Sequence, residues 1–312
     1  MTTEPAHALV QDVYDLLKAA ELDQAYRVLT DLLQGDLENT VLVDILTGIN
    51  YWKEKLRNSG DERTAFERGE YIVSLWKPFT MYMEKQNIRS DTLMYALRHC
   101  AFTLALRNYQ SLYRENGTTQ DGELYRKTGL CFKALGDYER ALQLLEQARD
   151  AEPDSPAILA ELADCYALCG ETRLCKVLFR EAFFSGAQLV ELHFLESEII
   201  RRLIDHVESL GYQGAELAEW IPVHGVLFRV FNVKRELRAL EFGKLKQAVF
   251  ALENEVRDGQ TNDRAVLIPR LINHYFWLID HYINVNEDKA RINEVLLKIK
   301  LLDLGVYEKY AL

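Results

Sequence analysis

The chain has 312 residues, of which 48% are apolar and 27% charged, with a formal net charge of −11. That is enough apolar matter for a large core, yet charges interrupt every apolar stretch short of the ~20 residues that a membrane span takes. The acidic charge is spread along the chain with no long basic run, which argues against nucleic acid or an anionic membrane as partner and favours a basic or amphipathic peptide.

Apolar residues recur at three- and four-residue spacing almost throughout, no segment alternates as a strand does, and only six prolines interrupt. The chain therefore reads as all-α. In chain order, helices are expected over 6–20, 22–34, 39–57 and 62–86, then a pair or one long helix over 90–116. Two helix pairs follow over 122–189. After them come 188–210, 213–221, 225–242, 244–258, 262–284 and 287–303, with a short terminal piece. Loops are expected at 58–63, 116–122 and 259–263, and the domain organisation reads as 1–120, 121–189 and 190–312. The start, Met1-Thr2-Thr3-Glu4-Pro5, has neither a basic stretch nor an apolar run, so no secretory signal is expected. The five cysteines, Cys100, Cys131, Cys165, Cys169 and Cys175, read as small core residues in a reducing compartment. A cytoplasmic location is the expectation.

Blocks 122–155 and 156–189 repeat one pattern of large and small residues. The first has Tyr125, Thr128-Gly129, Phe132, Gly136, Tyr138, Ala141, Leu145, Ala148 and Pro153. The second has Leu159, Leu162-Ala163, Tyr166, Gly170, Cys175, Phe179 and Ala182 at the same offsets. Small residues sit where helices cross, large ones fill the space beside them, and Gly136 and Gly170 end the first helix of each pair. Asp154 or Ser155 is placed to cap the following helix, with Pro156 at its start.

This pattern resembles the tetratricopeptide (TPR) repeat. Weaker echoes occur at Ala20, Leu22, Ala25 and Leu29, and at Gly243, Ala248 and Leu252. The resemblance implies an α-solenoid of stacked antiparallel helix pairs, a right-handed superhelix with atypical N- and C-terminal helices. It also implies a scaffold that holds a segment of another protein in a concave groove lined by the first helices. The residues facing that groove would be Glu123, Arg126, Lys127, Leu130 and Lys133, then Ala157, Ala160, Asp164 and Ala167. The chaperone-binding subgroup of the family places Lys and Asn one turn apart on this face. Arg126 with Leu130 and Ala160 with Asp164 depart from that, and Asp164 would repel a carboxylate.

No phosphate-binding glycine loop, nucleophile elbow or HExxH occurs, so no enzyme, cofactor or metal is expected. The aromatic stretch 274–282 puts His274, Trp277 and His281 on one helical face. It reads as core or, alternatively, as a small-molecule or peptide pocket. Arg201-Arg202 and the basic residues from Lys234 to Lys246 read as solvated faces paired with Glu198, Glu236 and Glu241. The apolar tail from Leu301 covers the last helix or docks on a neighbour, so self-association is a further expectation.

Overall fold

The computed structural model describes residues 3–57, 63–116, 121–232, 236–258, 261–287 and 289–311. Among the described residues there are sixteen α-helices, two short 3-10 turns and no strand, so the protein is all-α. It divides into two compact units, Met1–Ala151 and Glu152–Leu312, and the division falls four residues before the end of the first 34-residue block.

The first unit opens with a hairpin of α1 (Thr3–Lys18) and α2 (Leu22–Gly35), followed by α3 (Thr40–Arg57). The helix expected over 62–86 is two: α4 (Ala65–Ser74) and α5 (Trp76–Lys85). Pro78 explains the break, since it has no N–H to offer the Ser74 carbonyl and its ring would crowd that oxygen. Thr64 starts α4 with a reciprocal capping box to Glu67. The stretch 91–116 is one helix, α6 (Asp91–Asn116), and it is the hub against which α1, α3, α4 and α7 (Gly122–Ala134) pack. Gly69 on α4 leaves room for the Tyr109 ring of α6; a methyl there would overlap it. The unit closes with α8 (Tyr138–Ala151), paired with α7.

The second unit begins with the hairpin of α9 (Pro156–Leu168) and α10 (Thr172–Gly186). Where one helix was expected over 188–210, 3-10 turns at Ala187–Leu189 and Leu192–Phe194 precede α11 (Glu198–Ser209). Next comes α12 (Gly214–Leu227), which runs through Pro222 instead of stopping at 221. A proline inside a helix costs about 3 kcal/mol. The neighbouring Trp220, Ile221 and Val223 are all buried, at about 1.5–3 kcal/mol each, and packing wins. The expected helix 225–242 is not formed: 236–238 are non-helical, and α13 (Ala239–Asp258) passes through Gly243 without a break. The unit is completed by α14 (Thr261–Asn284), α15 (Lys289–Leu302) and α16 (Leu304–Ala311). α14 packs on α12, α13 and α15, so its aromatic stretch lies at the centre of the unit. The apolar tail folds onto its own unit: α16 packs on α12 and α15, and Tyr310 stacks on Phe276 at 4.5 Å.

Inside the two blocks the small and large positions do what their sizes imply. Ala141, Ala148, Ala163, Cys175 and Ala182 are fully buried, as are Leu145 and Phe179. A methyl on Gly129 would lie 2.9 Å from Leu145 Cγ and 3.3 Å from the Ala141 carbonyl, so α7 and α8 touch there through glycine alone. Both first helices end in the same cap. Gly136 (φ +83°) donates to Lys133 O at 3.0 Å, and Asp137 donates to Phe132 O at 2.9 Å. Gly170 (φ +85°) donates to Ala167 O at 3.0 Å, and Glu171 to Tyr166 O at 2.9 Å. These are the two bonds of the Schellman motif. The α1–α2 turn forms them too, from Ala20 to Leu17 O and from Glu21 to Leu16 O, both at 2.9 Å, with Ala20 at φ +60°. Four cysteines are buried as expected, but Cys169 is exposed, because it occupies the C-cap of α9 where the helix surfaces.

Candidate functional site

In the first unit the face assigned to a partner is built on α7. Asp121 caps its start, accepting from Leu124 N–H at 3.1 Å. One and two turns on, Arg126, Lys127, Leu130 and Lys133 are all buried, Arg126 and Lys127 at 4% exposure. The Arg126 guanidinium donates through Nε and Nη2 to the two oxygens of Glu123, 2.7 Å each. Lys127 Nζ lies 2.9 Å from Glu70 of α4. Glu70 also accepts from the Tyr109 hydroxyl of α6, and burial together with that carboxylate holds the phenol proton well above its usual range. Lys127 thus ties α7 to α4 and, through Glu70, to α6, while Arg126 is held within α7 by Glu123. Glu123, with its side chain 41% exposed, is the member of this set that reaches solvent.

In the second unit the corresponding face is on α9. Ala160 and Asp164 are buried and Ala167 is half-buried. Asp164 accepts the backbone N–H of Ser197 at 2.8 Å through Oδ1. It also accepts the N–H of Glu196, at 2.9 Å through Oδ2 and 3.1 Å through Oδ1. Ser197 is the N-cap of α11 and its own hydroxyl makes no cap bond; Asp164 instead fixes the chain entering the helix through its backbone donors, beside the helix's own first-turn Glu198.

The aromatic stretch of α14 separates into different neighbourhoods. Trp277 lies between Phe184, at 4.4 Å, and the Arg180 guanidinium, at 4.7 Å; Arg180 is itself ion-paired with Asp280. His281 stacks on Phe242 at 3.9 Å. His274 lines a cavity, of about 390 Å³, between the α10 C-terminus, α12 and α14. Its inner wall carries Phe183, Phe184, Glu219, Arg270, Asn273 and His274; Ser185, Gln188 and Leu189 stand at the rim.

The sequence reading missed Glu219 and Asn273. Glu219 is 3% exposed, and its Oε1 accepts from Gln188 Nε2 at 3.1 Å, from Arg270 Nε at 3.0 Å and from Arg270 Nη2. Asn273 is 4% exposed, and its amide makes no side-chain hydrogen bond among the described residues. The available signal was a lone carboxylate inside Leu217-Ala-Glu-Trp-Ile-Pro-Val and a lone amide inside Leu271-Ile-Asn-His-Tyr-Phe, since polar groups inside apolar runs are rarely left without a purpose. Of the basic residues, Arg202 pairs with Glu198 as expected, Arg201 pairs with Asp205 at 3.3 Å, and Lys246 lies over the Phe242 ring at 4.8 Å. Lys234 and Arg235 lie outside the described residues. Among the described residues no three His, Cys, Asp or Glu side chains come together as a metal site would need, and no helix is long and apolar enough to cross a membrane.

Residues 133–182 match the model of the tetratricopeptide repeat, spanning α8, α9 and most of α10. No curated protein matches the chain. Among solved structures, a chain of the C. elegans SMG5–SMG7 complex is similar at 13% identity, over 96% of this chain and 83% of that one, with a TM-score of 0.33. A likeness of that degree carries no further argument.

Proposed function

We propose that the protein is a non-enzymatic scaffold that binds a segment of a partner protein through the first helices of its repeat pairs. The observation that supports this most is the tandem occurrence of the repeat, with its small-residue crossings and paired Gly136 and Gly170 caps. The hairpins bury most of both first helices, Arg126–Ala134 of α7 and Ile158–Cys165 of α9, and leave Glu123 and Ala167 among the positions open to a partner; they carry no arrangement of nucleophile, base or metal that chemistry requires. On this reading the partner contacts Glu123 and Ala167 directly. Arg126, Lys127, Leu130, Lys133, Ala160 and Asp164 lie beneath and set the shape and charge of each strip. A pull-down from native lysate compares wild type with Glu123→Lys and Ala167→Arg, both at accessible positions. Loss of the same partner in both supports the reading; an unchanged partner set removes these strips as the binding surface.

The cavity beside His274 favours a second reading, in which the second unit receives a small molecule or a single side chain. Its volume falls within the usual 300–1,000 Å³ of ligand sites, and its lining combines polar residues with Phe183 and Phe184.

A further inference from the structure

We propose that the cavity between α10, α12 and α14 is a receptor for an alkyl cation, the ammonium or guanidinium head of a lysine- or arginine-like group. The inference rests on the reading of this cavity as a binding site and adds the chemistry of its occupant. Three hydrogen-bonding groups on its inner wall are left over after the protein's own bonds are made. All the bonds that Glu219 accepts fall on Oε1, so Oε2 accepts none among the described residues although the side chain is buried. Asn273 has its whole amide to spare. His274 Nδ1 faces the Arg270 carbonyl at 2.8 Å; a carbonyl only accepts, so Nδ1 carries the proton. Burial disfavours a second proton on the ring, which leaves Nε2 as an acceptor.

The leftover set is therefore a carboxylate oxygen, a neutral imidazole nitrogen and an amide. Two of these only accept. A multi-donor cation gives Oε2 and Nε2 the charge-assisted bonds that the protein does not supply. An anion would face Glu219 Oε2 and the Nε2 lone pair. Arg270, the cation on the wall, is already committed to Oε1. The Phe183 and Phe184 side chains supply apolar surface for an alkyl stem.

The test is calorimetric titration of the full chain with Nα-acetyl-lysine N-methylamide and Nα-acetyl-arginine N-methylamide, against the neutral norleucine and citrulline counterparts. Pentylamine is the arm that separates a free amine from a residue of a peptide. The cations should bind roughly tenfold or more tighter than their neutral counterparts. Pentylamine binding as tightly as the lysine derivative identifies a free amine; tighter binding of the derivative identifies a peptide side chain. Equal binding of norleucine and lysine derivatives overturns the cationic ligand while leaving the cavity a site. No binding of any probe at millimolar concentration overturns both. Asn273→Leu should abolish binding; retained binding in this variant counts against the proposal. Should that variant not fold, Glu219→Gln, which keeps an oxygen for Arg270, is the second: it should bind the cations roughly tenfold or more weaker, and unchanged affinity overturns the assignment.

Discussion

Asp164 accepts the backbone N–H of Ser197 at 2.8 Å, across 33 residues of sequence. The carboxylate that a groove reading places opposite a partner thus anchors the start of α11. Asp164→Ala should lower stability by about 2–4 kcal/mol, since it removes charge-assisted bonds and strands buried N–H groups. Urea unfolding measures the loss, and amide exchange should accelerate first at 196–200. Uniform acceleration across the second unit would speak against a local cap.

Ala20 and Gly136 occupy the same cap position with opposite fitness for it. An alanine at φ +60° carries a steric cost of about 1–2 kcal/mol that glycine lacks, part of it offset by glycine's freer unfolded chain. Ala20→Gly should therefore stabilise the protein by about 0.5–1 kcal/mol, while Gly136→Ala and Gly170→Ala destabilise it by about 1 kcal/mol each. A rise in the urea midpoint for the first and a fall for the other two is the expected pattern. The same sign in all three would contradict it.

Lys127 is held by Glu70, which also takes the Tyr109 hydroxyl. Removing one partner of a buried pair costs about 3–5 kcal/mol, and Glu70 is partly solvated, so Lys127→Met should fall at or below the lower end. Lys127→Met/Glu70→Gln should recover part of the loss. Thermal denaturation of the three proteins forms the test, and strict additivity would show that the two side chains do not interact. Charge reversal at Lys127 would perturb folding, so it is a poor probe of binding.

Stability should fall with acid before the carboxylates titrate. Burial, then the neighbouring His206, lowers His224 to about 4 from 6.5. Between those values the unfolded chain binds a proton that the folded chain refuses. The contribution is therefore complete above pH 6.5, declines as pH falls through 6.5 and levels near 4. Its size is about 3 kcal/mol. His274 and His99, both lowered mainly by burial, act in the same direction. Urea unfolding at pH 7 and pH 5 should show a smaller difference for His224→Phe than for wild type; an equal difference would remove His224 as a source.

The repeat was legible because its signals are local. Gly136 and Gly170 mark helix ends whatever surrounds them, and Ala141 or Cys175 must be small because a helix crosses there. The echo at Ala20 proved a true cap of the same kind. Helix limits were less legible where packing overrides local rules, as at Pro222, whose neighbours are all buried. The break at Leu75 could have been read from Pro78, three residues on. The polar sites were not legible, because their partners are distant in sequence: Asp164 with Ser197, Glu219 with Arg270, Lys127 with Glu70. Spacing along one helix places a side chain on a face, but it does not reveal which neighbouring helix covers that face.

Each copy of the 34-residue block is roofed by unlike helices of its own unit, α7 by α6 and α10 by α12. The two copies are therefore not interchangeable cassettes. Transplanting one into the other's place would set Lys127 where no Glu70 waits, or Asp164 where no α11 begins, so the pair has diverged into parts bespoke to their settings.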